Sequence, residues 1–274
     1  MISKILDIFL LTLVLFISPC FAQDKCFVTG FPAGETTIHI EQKCYNPCNS
    51  KITFLNLHDN EKTSVRAAEE YLLQNGGTII RIYNRGQRNV SFKLKNKVYT
   101  FDPNRIYSED GRRSTIKFLS NRINEDAENE VAYLANEILN NYVDSSKIII
   151  ALHNNTDSNL SVLSYQREQE TKINWGKVFI NPFMDPDEFI LTTDSVIFNG
   201  IKEKNINAVW ENVDSIRDDG SLSIYAARNK IPYLNVEAQH EHLDEQCAML
   251  TAVQEIIKEY GKEKGETKGD ELPD

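Results

Sequence analysis

Apolar and polar positions alternate along this chain in two rhythms. "KITFLNL" (51–57) is rich in β-branched and large apolar residues, as a strand is. "TSVRAAEEYLLQN" (63–75) spaces its apolar positions as one face of a helix, and Gly76-Gly77 ends it. "TIIRIYN" (78–84) returns to a strand pattern. "NVSFKLKNKVYTF" (89–101) alternates apolar and polar residues around Lys95-Asn96, which predicts a hairpin. "DAENEVAYLANEILNNYV" (126–143) is a strongly amphipathic helix, and "KIIIAL" (147–152) is a wholly apolar strand. From 156 to 221 the short strand candidates "KVFI", "EFILTT" and "NAVWEN" lie among polar connections that fix no topology. Order returns with a helix in "SLSIYAARN", a strand in "IPYLNVE" and a closing helix through "CAMLTAVQEIIKEY". Strands alternating with helices predict an α/β fold: a single-domain, three-layer sandwich around a mixed, largely parallel sheet.

The two ends read differently. Lys4 precedes the apolar run "ILDIFLLTLVLFIS" (5–18), and "PCFAQ" follows it. This is the pattern of a secretory signal over 1–22, cut after Ala22. The run is short for a membrane span and carries Asp7, and Pro19 argues against a lipoprotein anchor at Cys20. Residues 23–50 are polar, with "IHI" as a short strand, and are expected to form an N-terminal arm. The body of the fold is expected over 51–261 and a charged, disordered tail over 262–274. The expected location is therefore periplasmic or secreted, without stable membrane insertion once the signal is cut.

Composition adds two constraints. The net charge of −10 disfavours nucleic acid and anionic membranes as partners. Export makes disulfides the default for Cys26, Cys44, Cys48 and Cys247, two bridges in any of three pairings that would staple the arm to the body. A zinc site built from all four cysteines is the alternative.

Three predicted strands end in residues with chemistry to offer: His58 after "FLNL", His153 after "IIIAL", and Glu237 after "YLNV". Ligands of open α/β sheets sit at the carboxyl ends of the strands. If these strands are parallel neighbours, His58, His153 and Glu61 form a two-His, one-Glu set suited to zinc, and Glu237 stands by as a base. His240, His242 and Glu245 form a rival His-x-His-x-x-Glu cluster at the start of the last helix. Tyr225 and Arg228, shortly before the Glu237 strand, are candidates to line a substrate pocket. His39 has no evident partner.

The ordered motifs "HDNE" (58–61), "DPNR" (102–105), "LHNNTDSN" (152–159) and "NVEAQ" (235–239) resemble those of the zinc carboxypeptidase superfamily. The nearest likeness is to its aspartoacylase and succinylglutamate desuccinylase branch, over roughly residues 51–260. The resemblance implies Zn2+ held by His58, Glu61 and His153, with Glu237 as general acid/base. It also implies Asn104 and Arg105 as the pair gripping a substrate carboxylate, the planar guanidinium of Arg105 suiting a bidentate contact. For the group that stabilises the carbonyl oxygen, Lys97 holds the position of the branch's arginine, and Arg85 and Arg88 are rivals.

Departures from the pattern limit the transfer. Asp59 stands where the branch has Gly, Pro103 where it has Leu, and Ala-Gln follows Glu237 in place of Gly-Pro. The stretch after Glu237 is expected to be too short for the C-terminal domain of many aspartoacylases. The expected activity is therefore the broader one: hydrolysis of an amide bond near a free carboxylate, in a small molecule or peptide. A metallocarboxypeptidase of peptides or murein fragments is the alternative within the same chemistry. A metal-site binding protein without catalysis, and a structural or adhesion module, are the alternatives of other classes.

Overall fold

A computed structural model describes residues 25–48, 51–143, 145–157, 159–171, 176–212 and 216–266. The predicted signal segment lies outside the described residues. Among them, no helix is long and apolar enough to cross a membrane.

Eleven strands and seven helices are described. The strands are β1 (Lys25–Ala33), β2 (Thr36–Tyr45), β3 (Ile52–Asn56), β4 (Gly77–Tyr83), β5 (Val90–Leu94), β6 (Lys97–Phe101), β7 (Ile148–Asn155), β8 (Gly176–Phe179), β9 (Phe189–Thr192), β10 (Ala208–Glu211) and β11 (Tyr233–Gln239). The helices are α1 (Lys62–Asn75), α2 (Glu109–Ser120), α3 (Glu125–Tyr142), α4 (Val162–Thr171), α5 (Ser195–Glu203), α6 (Leu222–Arg228) and α7 (Leu243–Glu266).

Nine strands form one sheet in the order β1-β2-β4-β3-β7-β11-β9-β10-β8. Its centre, β4-β3-β7-β11, is parallel, and antiparallel partners extend it on both sides. This is the mixed α/β sheet that the sequence predicts. Burial on both faces explains why β3 and β7 read as continuous apolar runs: every residue of each is buried. One face packs under α1, α5 and α7 through residues such as Leu72, Phe198 and Val253. The other packs under α2, α3 and α6 and the β5-β6 hairpin, through Ile116, Leu134, Ala226 and Phe101. The result is a three-layer sandwich.

Local chemistry sets the element ends. Asn124 and Asp194 cap α3 and α5 by accepting backbone N–H bonds with their side chains. Lys95 and Asn96 both have positive φ, at 49° and 61°, the two-residue turn that joins β5 to β6. Gly111 and Gly220 meet under the carbonyl of Arg105, where a Cβ on Gly111 would lie 2.4 Å from the Gly220 Cα. That contact brings the loop carrying Asn104 and Arg105 close to the segment leading into α6.

Four expectations need correction. Residues 25–45 are not an arm beside the body. They form the β1-β2 hairpin, whose second strand pairs with β4 and so extends the main sheet. The disulfide joins Cys44 to Cys48, closing a short loop within this segment, so it staples nothing to the body. Cys26 and Cys247 are free, which removes both the second bridge and the four-cysteine metal site. Finally, α7 continues to Glu266, into the start of the expected tail.

Candidate metal centre

Strand β3 is flanked by β4 and β7, reached through helices on opposite faces of the sheet. A crevice opens outside the carboxyl ends of strands at such a switch point. The chain leaves β3 through Leu57 and His58, and Glu61 stands at the N-terminal boundary of α1. His153 lies in β7. Glu237 lies in β11 directly opposite His153 in the parallel register. His58 and Glu61 are 1% exposed, His153 is 4% and Glu237 is 5%.

Three side chains converge here. The Nδ1 atoms of His58 and His153 are 3.2 Å apart, and each lies 3.0 Å from a carboxylate oxygen of Glu61. Tetrahedral donors around a zinc ion stand roughly 3.3 Å apart, given Zn–N bonds of about 2.0–2.1 Å. Two imidazole nitrogens and one carboxylate at this spacing fit such an ion. Support behind them fits as well: the other nitrogen of His58 bonds Asp102 at 2.8 Å, the carboxylate brace that orients ligating imidazoles. As an expected result, Asp102→Asn weakens zinc affinity by about 10–100-fold, measured by competition with a chelator, and leaves the fold intact.

The electrostatics follow from burial and pairing. Burial opposes charge on His58, but its bonds to Asp102 and Glu61 outweigh that and raise its pKa. Burial likewise works against ionised Glu61 and Asp102, yet the imidazoles bonded to them hold both well below the usual carboxylate range. Glu237 moves the other way: burial raises it, opposed by His153 and reinforced by Glu61. An elevated carboxyl beside the donor set is the property a proton-transferring acid needs.

Around this core the other predicted residues separate. Arg88 is at the site, with its Nη1 2.5 Å from Glu61 Oε1 and its Nη2 3.5 Å from Asp102 Oδ2. Arg85 is exposed in the same loop. Lys97 is not brought there. It stands exposed at the turn end of the β5-β6 hairpin, a strand's length from Asp102. Asn104 accepts the backbone N–H of Leu222 at 3.2 Å, holding the start of α6. Arg105 donates to the Asn104 carbonyl at 2.8 Å and faces Asp219 at 3.5 Å. Tyr225 packs its ring 6.3 Å from that of Tyr107, and Arg228 pairs with Asp218. His242 bonds Glu188 at 2.6 Å, and this pair with Asp185 replaces the expected grouping with His240 and Glu245. His240 instead lies at the rim of the metal cleft.

Two contributors are invisible in local sequence. Asp59 replaces a glycine of the resembled pattern, and its carboxylate accepts the N–H groups of Asn84 and Gly86 at 2.9 and 2.7 Å while facing Lys62 and Arg81. It thereby fixes the loop that carries Arg88 to Glu61. Gln246 of α7 donates to the carbonyl of His153 at 3.0 Å and accepts from Asn154 at 2.9 Å, bracing the end of β7.

The centre opens into a cleft of about 280 Å³ lined by Glu61, Arg88, His153, Asn155, Glu237 and His240. Beyond Arg88 lies a wider groove of about 660 Å³, with Arg105 and Arg217 on its wall. Asp102, Asp110, Asp218 and Asp219 share that wall, so its arginines lie among carboxylates.

No protein-family model matches the chain, and no curated protein sequence matches it. Among solved structures it is similar to a metallo-carboxypeptidase from Burkholderia cenocepacia (9% identity, TM-score 0.45), covering 88% of this chain and 66% of that one. A candidate carboxypeptidase from Burkholderia mallei gives 11% identity and a TM-score of 0.44, with 87% and 65% covered. A candidate metallopeptidase from Shewanella denitrificans gives 10% identity and a TM-score of 0.37, with 84% and 82% covered. This chain thus spans about two thirds of the length of the two Burkholderia proteins. Likeness this distant carries no site assignment, so the functional reading rests on the side chains themselves.

Proposed function

We propose that this protein is a zinc-dependent hydrolase of an amide bond close to a free carboxylate, with His58, Glu61 and His153 as the ligands. The observation that carries this is the convergence of three side chains: two imidazole Nδ1 atoms 3.2 Å apart, each 3.0 Å from its own oxygen of Glu61, with Glu237 on the adjacent strand. When bound, the ion supplies Lewis acidity, polarising a carbonyl and making water more acidic.

The chain's own groups supply the rest. Glu237, buried and raised in pKa, accepts the proton of the attacking water and returns it to the leaving nitrogen. Asn235 donates its amide to Glu237 at 3.0 Å and aims the carboxyl. Arg88 is the cation nearest the donor set and the group best placed to stabilise charge growing on the carbonyl oxygen. Arg105, half exposed at the groove wall, is the proposed grip for the substrate carboxylate, with Asn104 holding α6 in place beside it. An exported location is part of the same proposal.

The test uses the substrate's own charge. With zinc present, an N-acetylated dipeptide is expected to be cleaved, and its C-terminal amide to be cleaved about 100-fold more slowly, because the Arg105 contact is then unpaired. Equal turnover of acid and amide removes the carboxylate from the proposal.

A further inference from the structure

A second set of metal-ligating side chains stands apart from the His58, Glu61 and His153 centre. One donor atom from each of Asp185, Glu188 and His242 lies within 4.8 Å of the other two. Bonds of about 2.0–2.6 Å space the donors of a six-coordinate ion by up to about 4–5 Å. Asp185 and Glu188 belong to the turn that enters β9, and His242 to the turn between β11 and α7. The Nδ1 of His242 lies 2.6 Å from Glu188 Oε1.

The first turn is held firmly. Asn207, fully buried, donates its amide to the carbonyls of Asp185 and Glu188 at 2.8 and 2.9 Å. Gln239 at the end of β11 donates to Asp185 Oδ2 at 3.2 Å and to Asp187 Oδ2 at 3.3 Å, which ties the two turns together. Groups fixed beforehand lose little freedom on taking up an ion.

A carboxylate–imidazole hydrogen bond accounts for only one oxygen of Glu188. The side chain is 4% exposed, yet among the described residues its Oε2 accepts no hydrogen bond, and it is not sealed from solvent. His242 is 38% exposed, so the cluster is open on one side. Burial, Glu245 and Asp185 raise the Glu188 carboxyl, and His242 opposes them only in part. A carboxylate buried among like charges is costly, and a bound cation offsets that cost.

We propose that Asp185, Glu188 and His242 form a second site, for a divalent cation of the manganese class. Carboxylates outnumber the imidazole, and hard oxygen donors with water suit Mn2+. The imidazole argues against calcium, which takes oxygen ligands. Bound there, the ion joins the turn before β9 to the turn after β11. His240 lies in the second of these turns and lines the cleft of the first centre, so the ion braces the rim of that cleft. The site does not depend on the hydrolase reading.

The test titrates Mn2+ into zinc-loaded protein and counts the free ion by electron paramagnetic resonance. Wild type is expected to bind about one Mn2+ per chain and to melt at a higher temperature with the ion present. Glu188→Gln and Asp185→Asn, each checked for folding by melting without Mn2+, are expected to weaken binding by about tenfold or more. Asp185→Asn keeps the test decisive if the buried Glu188→Gln change disturbs folding. Unchanged affinity in either folded variant overturns the proposal, as does no binding by wild type at Mn2+ on the order of 1 mM. Binding lost in His153→Ala but kept in Glu188→Gln places the ion at the first centre and overturns it as well. Mn2+ held through Glu188 in a protein that cleaves nothing would reject the hydrolase reading and leave this site standing.

Discussion

Glu237→Gln is expected to lower kcat by about 10²–10⁴-fold while the protein keeps its zinc and its thermal stability. The carboxyl sits opposite His153 in the sheet, 5% exposed, with its pKa raised by burial. Glutamine preserves the shape and the bond to Asn235 but cannot take up a proton. The loss should fall on kcat, with KM little changed, because the group acts on protons in the transition state and does not anchor the substrate. Metal content measured on the same sample separates this outcome from loss of the ion. Undiminished turnover by a zinc-loaded Glu237→Gln protein would eliminate the assigned role.

The second large effect is on the metal itself. Wild type is expected to carry about one zinc per chain, and His153→Ala to lose most of it along with all measurable hydrolysis. His153 supplies an Nδ1 that faces both Glu61 and the Nδ1 of His58. Removing it leaves one imidazole and one carboxylate, too few protein ligands for a catalytic zinc site. The side chain lies in a buried strand, so His153→Ala also risks a packing defect. His153→Gln, which keeps most of the volume, should show the same metal loss with a smaller change in melting temperature. Stoichiometric zinc in both variants would move the ion elsewhere, and the Asp185, Glu188 and His242 cluster is where to look next.

Much of the fold was legible because burial writes itself into periodicity. β3 and β7 are buried on both faces and read as apolar runs; α1 and α3 are half-buried and read at helical spacing. The parts that escaped lack that imprint. β1 is a mostly exposed edge strand, so the hairpin it forms with β2 looked like a polar arm. α2 interrupts its weak apolar pattern with Gly111-Arg112-Arg113, and Gly111 is there for close backbone contact with Gly220, which no local window reveals. The antiparallel entry of β9 beside β11 also leaves no trace in "EFILTT".

For the site, the sequence by itself determined which residues are available: imidazoles and carboxylates placed where apolar runs stop. Only the tertiary structure decided which of them meet. It set β7 between β3 and β11, so that His153 faces Glu61 on one side and stands in register with Glu237 on the other. It also made Asp102 the brace of His58 and sent Lys97 to the far end of a hairpin. Distance in space is set by strand order and register, and these come from the packing of whole layers, which no short stretch of sequence contains.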